Sequence, residues 1–286
     1  MELVRALAAY CEAPGHGLAD ALGLPLPSPS DEAELFSFQL YPYAAVYMGA
    51  QGMLGGEAQD RVAGFWRASG MEPPPEPDHL AALLALYATF AEAGGERARH
   101  LRHALLWEHL LAWLPAWLRR LDEVAPESYR AWGSLLGDAL LAEAEELGPP
   151  AALPLHLRMA PAPGGLSTLF AAAISGVIVT RFDLARCARE VGLGLRQGER
   201  RYALEALLSQ DCPRVIGWLA GEADRQADLH RSLPPAWRPV ADHWAQRASA
   251  TAGELRKAAV RRIVREEIEQ APPIAIADSP PSDRRA

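Results

Sequence analysis

The sequence is poor in cysteine, and its three thiols, Cys11, Cys187 and Cys212, form no CxxC pair. An odd number of widely separated cysteines does not indicate a disulfide framework. Such cysteine usage is typical of a reducing compartment. The N-terminus also lacks a basic segment followed by an apolar one, so no secretory signal is expected. Together these features predict a cytoplasmic protein.

The motifs of common enzyme classes are missing as well. The sequence has no GxGxxG or GxxxxGK[ST] loop, no HExxH pair and no GxSxG elbow. His103 and His109 lie close together in the chain, but their spacing does not place them on one helical face. We therefore predict no catalytic residue, no metal ion and no cofactor, and a protein that is not an enzyme. A helical hydrolase, with residues brought together only by folding, is kept as an alternative.

Long apolar runs and strand signals are also scarce. The most apolar stretch, residues 164–179, is shorter than the ~20 residues of a membrane-spanning helix. We find no internal repeat and no strand-pair signal. The sequence predicts an all-α protein with a single-domain helical bundle over residues 1–270. Residues 149–165, rich in proline and glycine, are the possible internal boundary, and the tail 271–286 is predicted to be disordered.

Apolar residues recur at helical spacing through most of the chain, and prolines and glycines lie between these runs. Pro115 is expected to kink or break the most regular helix, and Asp78 is expected to cap the helix that follows it. Residues 36–47 are interpreted as a loop that leads into a helix, and residues 166–179 as a buried helix rather than a strand. Predicted helices cover approximately residues 1–24, 57–69, 80–93, 101–121, 126–147, 182–191, 198–209, 213–230 and 237–269. A further helix is predicted to begin at residues 31–34. Thr180 and Asp183 have the spacing of a capping box at the start of the helix over residues 182–191.

The net charge of −8 is concentrated at one end of the chain. Residues 1–80 contain three arginines and eleven acidic residues, so this segment alone carries −8. One interpretation is ordinary acidic solubility, and the other is a surface that attracts basic peptides. Broad nucleic-acid binding is disfavoured, because contacts to phosphates need a basic face.

Residues 180–215 suggest a second possible function for the chain, DNA binding. Residues 180–192 are similar to the first helix and turn of a helix-turn-helix, and another predicted helix follows. Residues 181–231 contain nine arginines and eight acids, whereas a DNA-reading surface normally has a clear basic excess. A helical hairpin inside a larger helical domain is favoured, and a DNA-binding regulator is the alternative.

Residues 76–79, Glu-Pro-Asp-His, follow a proline-rich loop and have no packing reason to cluster. A capping role explains Asp78 alone and leaves Glu76 and His79 unexplained. Loop residues on a rigid scaffold often form binding sites. Three tryptophans, Trp107, Trp113 and Trp117, follow on a helix, where aromatic side chains usually belong to the core.

Three segments, taken in order, resemble the TorD/DmsD/NarJ family of redox-enzyme maturation chaperones. Residues 42–47 read Pro-Tyr-Ala-Ala-Val-Tyr, residues 76–80 read Glu-Pro-Asp-His-Leu, and residues 107–115 read Trp-Glu-His-Leu-Leu-Ala-Trp-Leu-Pro. The dense similarity covers about residues 35–148. Two positions depart from the family pattern: Ala45 replaces the usual serine, and Leu83-Leu84 stands where Glu-Leu is frequent.

The resemblance implies an all-helical TorD-like fold and a cytoplasmic chaperone. Its implied partner is the immature catalytic subunit of a molybdopterin oxidoreductase of the dimethyl-sulfoxide-reductase type, together with that subunit's twin-arginine leader. The chaperone would hold the client until its cofactor is inserted, before export. From the charge distribution and the short apolar run we expect no nucleic-acid partner and no membrane insertion, and the oligomeric state stays open. The signal-peptide-binding residues that it implies are Pro42, Tyr43, Tyr47, Glu76, Pro77, Asp78, His79 and Trp113.

Charge and resemblance lead to one physical hypothesis. A leader of this class has an arginine pair followed by an apolar stretch. We expect Glu76 and Asp78 to meet the arginine pair. We expect Tyr43, Tyr47 and the tryptophans to line a groove for the apolar part.

Overall fold

The computed structural model describes the backbone of residues 1–270 and the side chains of residues 1–261. The predicted disordered tail, residues 271–286, lies outside the described residues. Within residues 1–270 the chain is all-α, as predicted, with fifteen α-helices and no β-strand. No helix of this part combines the length and apolarity needed to cross a membrane. The helices are α1 (Glu2–Glu12), α2 (His16–Leu22), α3 (Pro29–Glu32), α4 (Ala44–Met48), α5 (Gly56–Ser69), α6 (Leu80–Ala93), α7 (Gly95–Ala104), α8 (Leu114–Val124), α9 (Glu127–Leu147), α10 (Leu155–Met159), α11 (Ala172–Ser175), α12 (Arg181–Val191), α13 (Arg200–Leu208), α14 (Cys212–Arg231) and α15 (Arg238–Gln270).

Several helix ends follow directly from the local sequence. The predicted capping box of α12 is confirmed: Thr180 Oγ1 accepts from Asp183 N at 3.2 Å, and Asp183 Oδ2 accepts from Thr180 N at 2.8 Å. An equivalent box at α3 joins Ser28 and Asp31. Each box satisfies backbone N–H groups that the first turn of a helix leaves unpaired.

Pro115 breaks the long helix predicted over residues 101–121, as expected. Helix α7 ends at Ala104, a π-helical segment covers Leu105–Leu110, and α8 begins at Leu114 with Pro115 in its first turn. Proline lacks a backbone N–H, so the first turn is the part of a helix where it costs least. The π-helical segment before it was not predicted.

The interpretation of residues 166–179 as one buried helix is wrong. A 3₁₀ turn at Gly165–Thr168 and the short α11 are followed by backbone without regular secondary structure at residues 177–180. Gly176 ends α11 with a φ of 70°, and a Cβ added there would lie 2.3 Å from Ala248 N. This close approach to the backbone of α15 needs a glycine, and it stops the helix that the alanine-rich sequence favours.

Residues 36–47 also differ from their predicted loop. The chain from Ala33 to Gln39 is π-helical, and only residues 40–43 form the loop that leads into α4. At the N-terminus the predicted helical start divides into α1 and α2 around Pro14. The predicted loop 149–165 contains the short α10.

Buried apolar side chains form two hydrophobic clusters. The larger cluster is built mainly from α1 to α9, and the smaller one mainly from α12 to α14. Helix α15 joins them, since Trp244 belongs to the first cluster and Ala248, one turn later, to the second. The first cluster positions the site described next.

Candidate functional site

Two of the three sequence motifs lie side by side. Ala44 N donates to the carbonyl oxygen of Asp78 at 3.0 Å, and Leu80 N donates to that of Pro42 at 2.8 Å. These bonds form an antiparallel bridge between Tyr43 and His79. The loop before α4 and the loop before α6 are therefore one structural unit, although more than thirty residues separate them in the chain.

Asp78 lies beneath this unit, with 1% of the residue exposed. Its carboxylate accepts from Ala45 N at 3.0 Å and from Gln59 Nε2 at 3.1 Å. Asp78 thus caps α4, and the prediction that it caps α6 is wrong. His79 caps α6 instead, because its Nδ1 accepts from Ala81 N at 3.2 Å.

Tyr43 and Glu76 form the exposed edge of the unit. The Tyr43 hydroxyl donates to Glu76 Oε2 at 2.8 Å. Burial and this hydrogen bond raise the pKa of Tyr43 to about 12, so the phenol keeps its proton and remains a donor. The Tyr43 ring meets the His79 ring edge-on, with centroids 4.8 Å apart.

Burial lowers the pKa of His79 below its usual value, which favours the neutral ring. Since Nδ1 accepts a hydrogen bond, the ring proton of the neutral form lies on Nε2. In that form the ring contributes an N–H donor and an apolar face, but no positive charge.

A groove of about 430 Å³ opens beside Tyr43, and we call it the acidic groove. It carries three carboxylates, on Glu12, Glu32 and Glu76, and no lysine or arginine among its lining residues. Its carboxylates come from α1, α3 and the loop before α6, so folding converts scattered acids into one negative site. The lining residues are Cys11, Glu12, Glu32, Phe36, Ser37, Tyr41, Pro42, Tyr43, Glu76 and His79.

The sequence motifs did not single out Glu12 and Glu32. The only signal of their role was the acidic excess of residues 1–80. Cys11, at the base of the groove, is buried, and burial raises the pKa of its thiol well above the usual value. A protonated thiol is a poor nucleophile, so the groove is suited to binding charge more than to covalent chemistry.

Tyr47 and Trp113 do not line the acidic groove. Both are buried, and their rings stack with centroids 5.1 Å apart. Tyr47 donates to the carbonyl oxygen of Tyr41 at 2.8 Å, and Trp113 Nε1 donates to that of His109 at 2.9 Å. The third motif therefore supports the first from inside the core.

The other predicted binding residues also fall into two groups, one at the acidic groove and one in the interior. Pro42, Tyr43, Glu76 and His79 border the groove. Pro77 is buried below it, and its carbonyl oxygen accepts from Trp66 Nε1 at 3.2 Å.

The two departures from the family pattern fall in the interior. Ala45 has no hydroxyl, and its backbone N–H satisfies Asp78 directly. Leu83 and Leu84 are fully buried in the first hydrophobic cluster. Neither position therefore contributes a polar side chain to the interior.

The structure gives little support to a helix-turn-helix in residues 180–215. The connection between α12 and α13 is eight residues long, whereas the turn of that motif has three or four. Arg186 pairs with Glu222, Arg200 donates to the carbonyl oxygen of Val179, and Arg201 to that of Gln51. These arginines hold the fold together instead of forming an open basic face.

Within the part of the chain whose side chains are described, no group of three or more His, Cys, Asp or Glu residues is placed to hold a metal ion.

Comparison with known proteins is consistent with this geometry. A family model described as the nitrate reductase delta subunit matches residues 34–119. No curated protein matches the chain. The matched segment contains all three motifs and most of the residues that border the acidic groove. The nitrate reductase delta family is a family of redox-enzyme maturation chaperones that act with molybdoenzyme subunits. The resemblance found in the sequence is therefore confirmed over residues 34–119, where the chain is similar to the NarJ/TorD-type chaperone family.

Proposed function

We propose that this protein is a cytoplasmic chaperone that binds the twin-arginine signal peptide and the immature catalytic subunit of a molybdopterin oxidoreductase. It holds the client during cofactor insertion and releases it for export. The observation that carries this proposal is the acidic groove, which lies where two family motifs meet. Guanidinium groups form charge-assisted, bidentate hydrogen bonds with carboxylates, so an arginine pair is the ligand that such a groove favours.

The geometry changes the roles of the two acids in the original hypothesis. Asp78 is buried, and its carboxylate is already bonded to Ala45 N and Gln59 Nε2. Glu76 is exposed, and Glu12 and Glu32 line the same groove. We assign the contact with the arginine pair to these three glutamates and a structural role to Asp78.

Peptide titration tests this assignment. A twin-arginine peptide should bind more tightly than its twin-lysine counterpart, because lysine cannot form the bidentate pair, and more tightly than a peptide without arginine. Binding should also weaken as salt rises, since exposed charges are screened. Equal affinity for all three peptides would reject the arginine contact.

The matched variants are Glu76→Gln and Glu72→Gln. Both residues are exposed on the same loop and lose the same charge, but only Glu76 borders the groove. We expect Glu76→Gln to weaken binding about three- to tenfold, and Glu72→Gln to leave it within error.

A pull-down from the native host identifies the client. The tagged chain should enrich a molybdopterin oxidoreductase subunit with a twin-arginine leader, as detected by mass spectrometry. Recovery should fall for a variant in which Glu12, Glu32 and Glu76 are all replaced by glutamine. Absence of any such subunit from the wild-type sample would count against the chaperone role itself.

A further inference from the structure

A second groove of about 630 Å³ lies next to the acidic groove. The two share Ser37 and Tyr41, so one surface leads directly into the other. We call the second one the apolar groove. Its lining residues are Ser37, Phe38, Tyr41, Val46, Gly52, Met53, Leu54, Arg181, Gln197, Gly198, Glu199 and Arg200.

Three large apolar side chains in this groove face solvent. Phe38 is 43% exposed, Met53 59% and Leu54 56%. Phe38 lies on the π-helical segment before α4, and Met53 and Leu54 lie on the loop after it. A cluster of exposed apolar side chains from separate elements, with polar residues around it, is typical of a surface that binds another molecule.

The loop that carries Met53 and Leu54 is held firmly. Gly52 has a φ of 65° and is buried, and a Cβ added there would lie 1.9 Å from the carbonyl oxygen of Phe170. Arg201 also donates to the carbonyl oxygen of Gln51 at 2.8 Å. The exposure of the two apolar side chains is therefore fixed by a packed backbone.

Charge distinguishes the two grooves. The guanidinium of Arg181 lies over the Phe38 ring at 5.1 Å, and that of Arg200 over the Tyr41 ring at 5.6 Å. Glu199 supplies one opposing carboxylate. Two cations against one anion disfavour a basic ligand here, whereas three carboxylates favour it in the acidic groove.

We propose that the apolar groove binds the apolar segment of a client peptide whose basic residues occupy the acidic groove, so that a single bipartite ligand spans both. This inference rests on the proposed function and adds the place of the apolar segment. It also replaces the expectation that Tyr47 and the tryptophans form that surface, since those side chains are buried. The occupant is thus a peptide with a basic pair joined directly to an apolar stretch.

The test uses the full chain and two synthetic peptides. The bipartite peptide has an arginine pair followed by about ten apolar residues, and the basic-only peptide has glycine and serine in place of the apolar stretch. For the variant Met53→Ser/Leu54→Ser, we expect about tenfold weaker binding of the bipartite peptide, which corresponds to the loss of two partly buried apolar contacts. Binding of the basic-only peptide should not change.

Met159→Ser is the matched control, because Met159 is exposed but does not border the apolar groove. It should bind both peptides like the wild type. Thermal unfolding of all variants shows whether the fold is intact. Independently, a diazirine in the apolar stretch of the bipartite peptide should crosslink to residues 53–54 of the wild-type chain.

The outcomes separate this inference from the proposed function. If Glu76→Gln weakens both peptides while Met53→Ser/Leu54→Ser changes neither, the function stands and the apolar groove is the wrong site. If wild-type protein binds neither peptide, both proposals fail. If the double variant instead changes the mass in sedimentation equilibrium, the groove is a contact between copies of the chain and the inference is overturned.

Discussion

Arg120 and Asp183 form an ion pair in the interior, with the single nitrogen Arg120 Nη2 2.6 Å from each carboxylate oxygen and both side chains 1% exposed. Sixty-three residues separate them in the chain, and they join α8 to α12. Glu222 of α14 approaches the same guanidinium at 3.6 Å. The pair therefore links helices of the two hydrophobic clusters through charge.

The first prediction concerns Arg120→Met. This change leaves the Asp183 carboxylate buried without its main partner, so the free energy of unfolding should fall by about 3–5 kcal/mol. Urea denaturation, followed by circular dichroism, measures the loss. A loss below about 1 kcal/mol would show that the pair contributes little.

Two variants serve as controls for that change. Arg130→Met removes an exposed arginine whose partner Glu127 is also exposed. This change should lower the free energy of unfolding by less than about 0.5 kcal/mol. Arg120→Met/Asp183→Asn removes both charges and should recover part of the stability that Arg120→Met loses.

The second prediction separates Asp78 from Glu76. Asp78→Ala leaves Ala45 N and Gln59 Nε2 without their acceptor, so it should lower the free energy of unfolding by about 1–3 kcal/mol. Glu76→Gln alters an exposed side chain and should leave stability within about 0.5 kcal/mol of the wild type. Thermal denaturation compares the two. An unchanged melting temperature for Asp78→Ala would contradict its capping role.

The third prediction concerns the loop beside the apolar groove. Gly52→Ala should destabilise the protein, because its Cβ would overlap the carbonyl oxygen of Phe170. Gly56→Ala isolates the effect of backbone strain, since Gly56 also has a positive φ but open space around it. We expect a loss of about 1 kcal/mol for Gly56→Ala and distinctly more for Gly52→Ala, measured by urea denaturation. Equal losses would mean that the loop moves freely.

The fourth prediction is a pH dependence of stability. Burial lowers the pKa of His109 to about 4, with smaller effects from the charges of His156 and Arg61, and burial likewise lowers the pKa of His230 to about 4. The unfolded chain takes up these protons near pH 6.5 and the folded chain only near pH 4. The contribution of these two histidines to the free energy of unfolding is therefore fully present above pH 6.5 and is lost as the pH falls toward 4.

We expect the free energy of unfolding to fall by an amount on the order of a few kcal/mol across that range. His109→Leu should make the slope shallower, because one titrating group is removed. His16→Gln, at an exposed residue, should keep the wild-type slope. Urea denaturation at several pH values measures how the free energy of unfolding depends on pH. If His109→Leu had the same dependence as the wild type, the prediction for His109 would be wrong.

Sequence reasoning predicted most helices because local signals determine them. The Thr180 box and the break at Pro115 depend only on neighbouring residues. Residues 166–179 were predicted wrongly because tertiary packing overrides helix propensity there: Gly176 meets the backbone of α15, more than seventy residues away. No local pattern encodes that contact.

The site was predicted only in part for the same reason. The motifs identified Tyr43, Glu76 and His79, and these residues do lie together. Asp78 was predicted to cap α6 because α6 begins only two residues after it in the chain. The helix that it does cap, α4, ends thirty residues before it. Glu12 and Glu32 join the groove through tertiary packing of α1 and α3, which the sequence pattern does not reveal.

Helix α4 and the residues next to it border both grooves. Tyr43, just before it, borders the acidic groove, and Val46 within it and Met53 beyond it border the apolar groove. Its five residues rise by roughly 7.5 Å, a distance that about two residues of extended peptide cover. We therefore expect a peptide with a long insertion between its arginine pair and its apolar stretch to bind less tightly than a peptide without the insertion, because the two grooves adjoin.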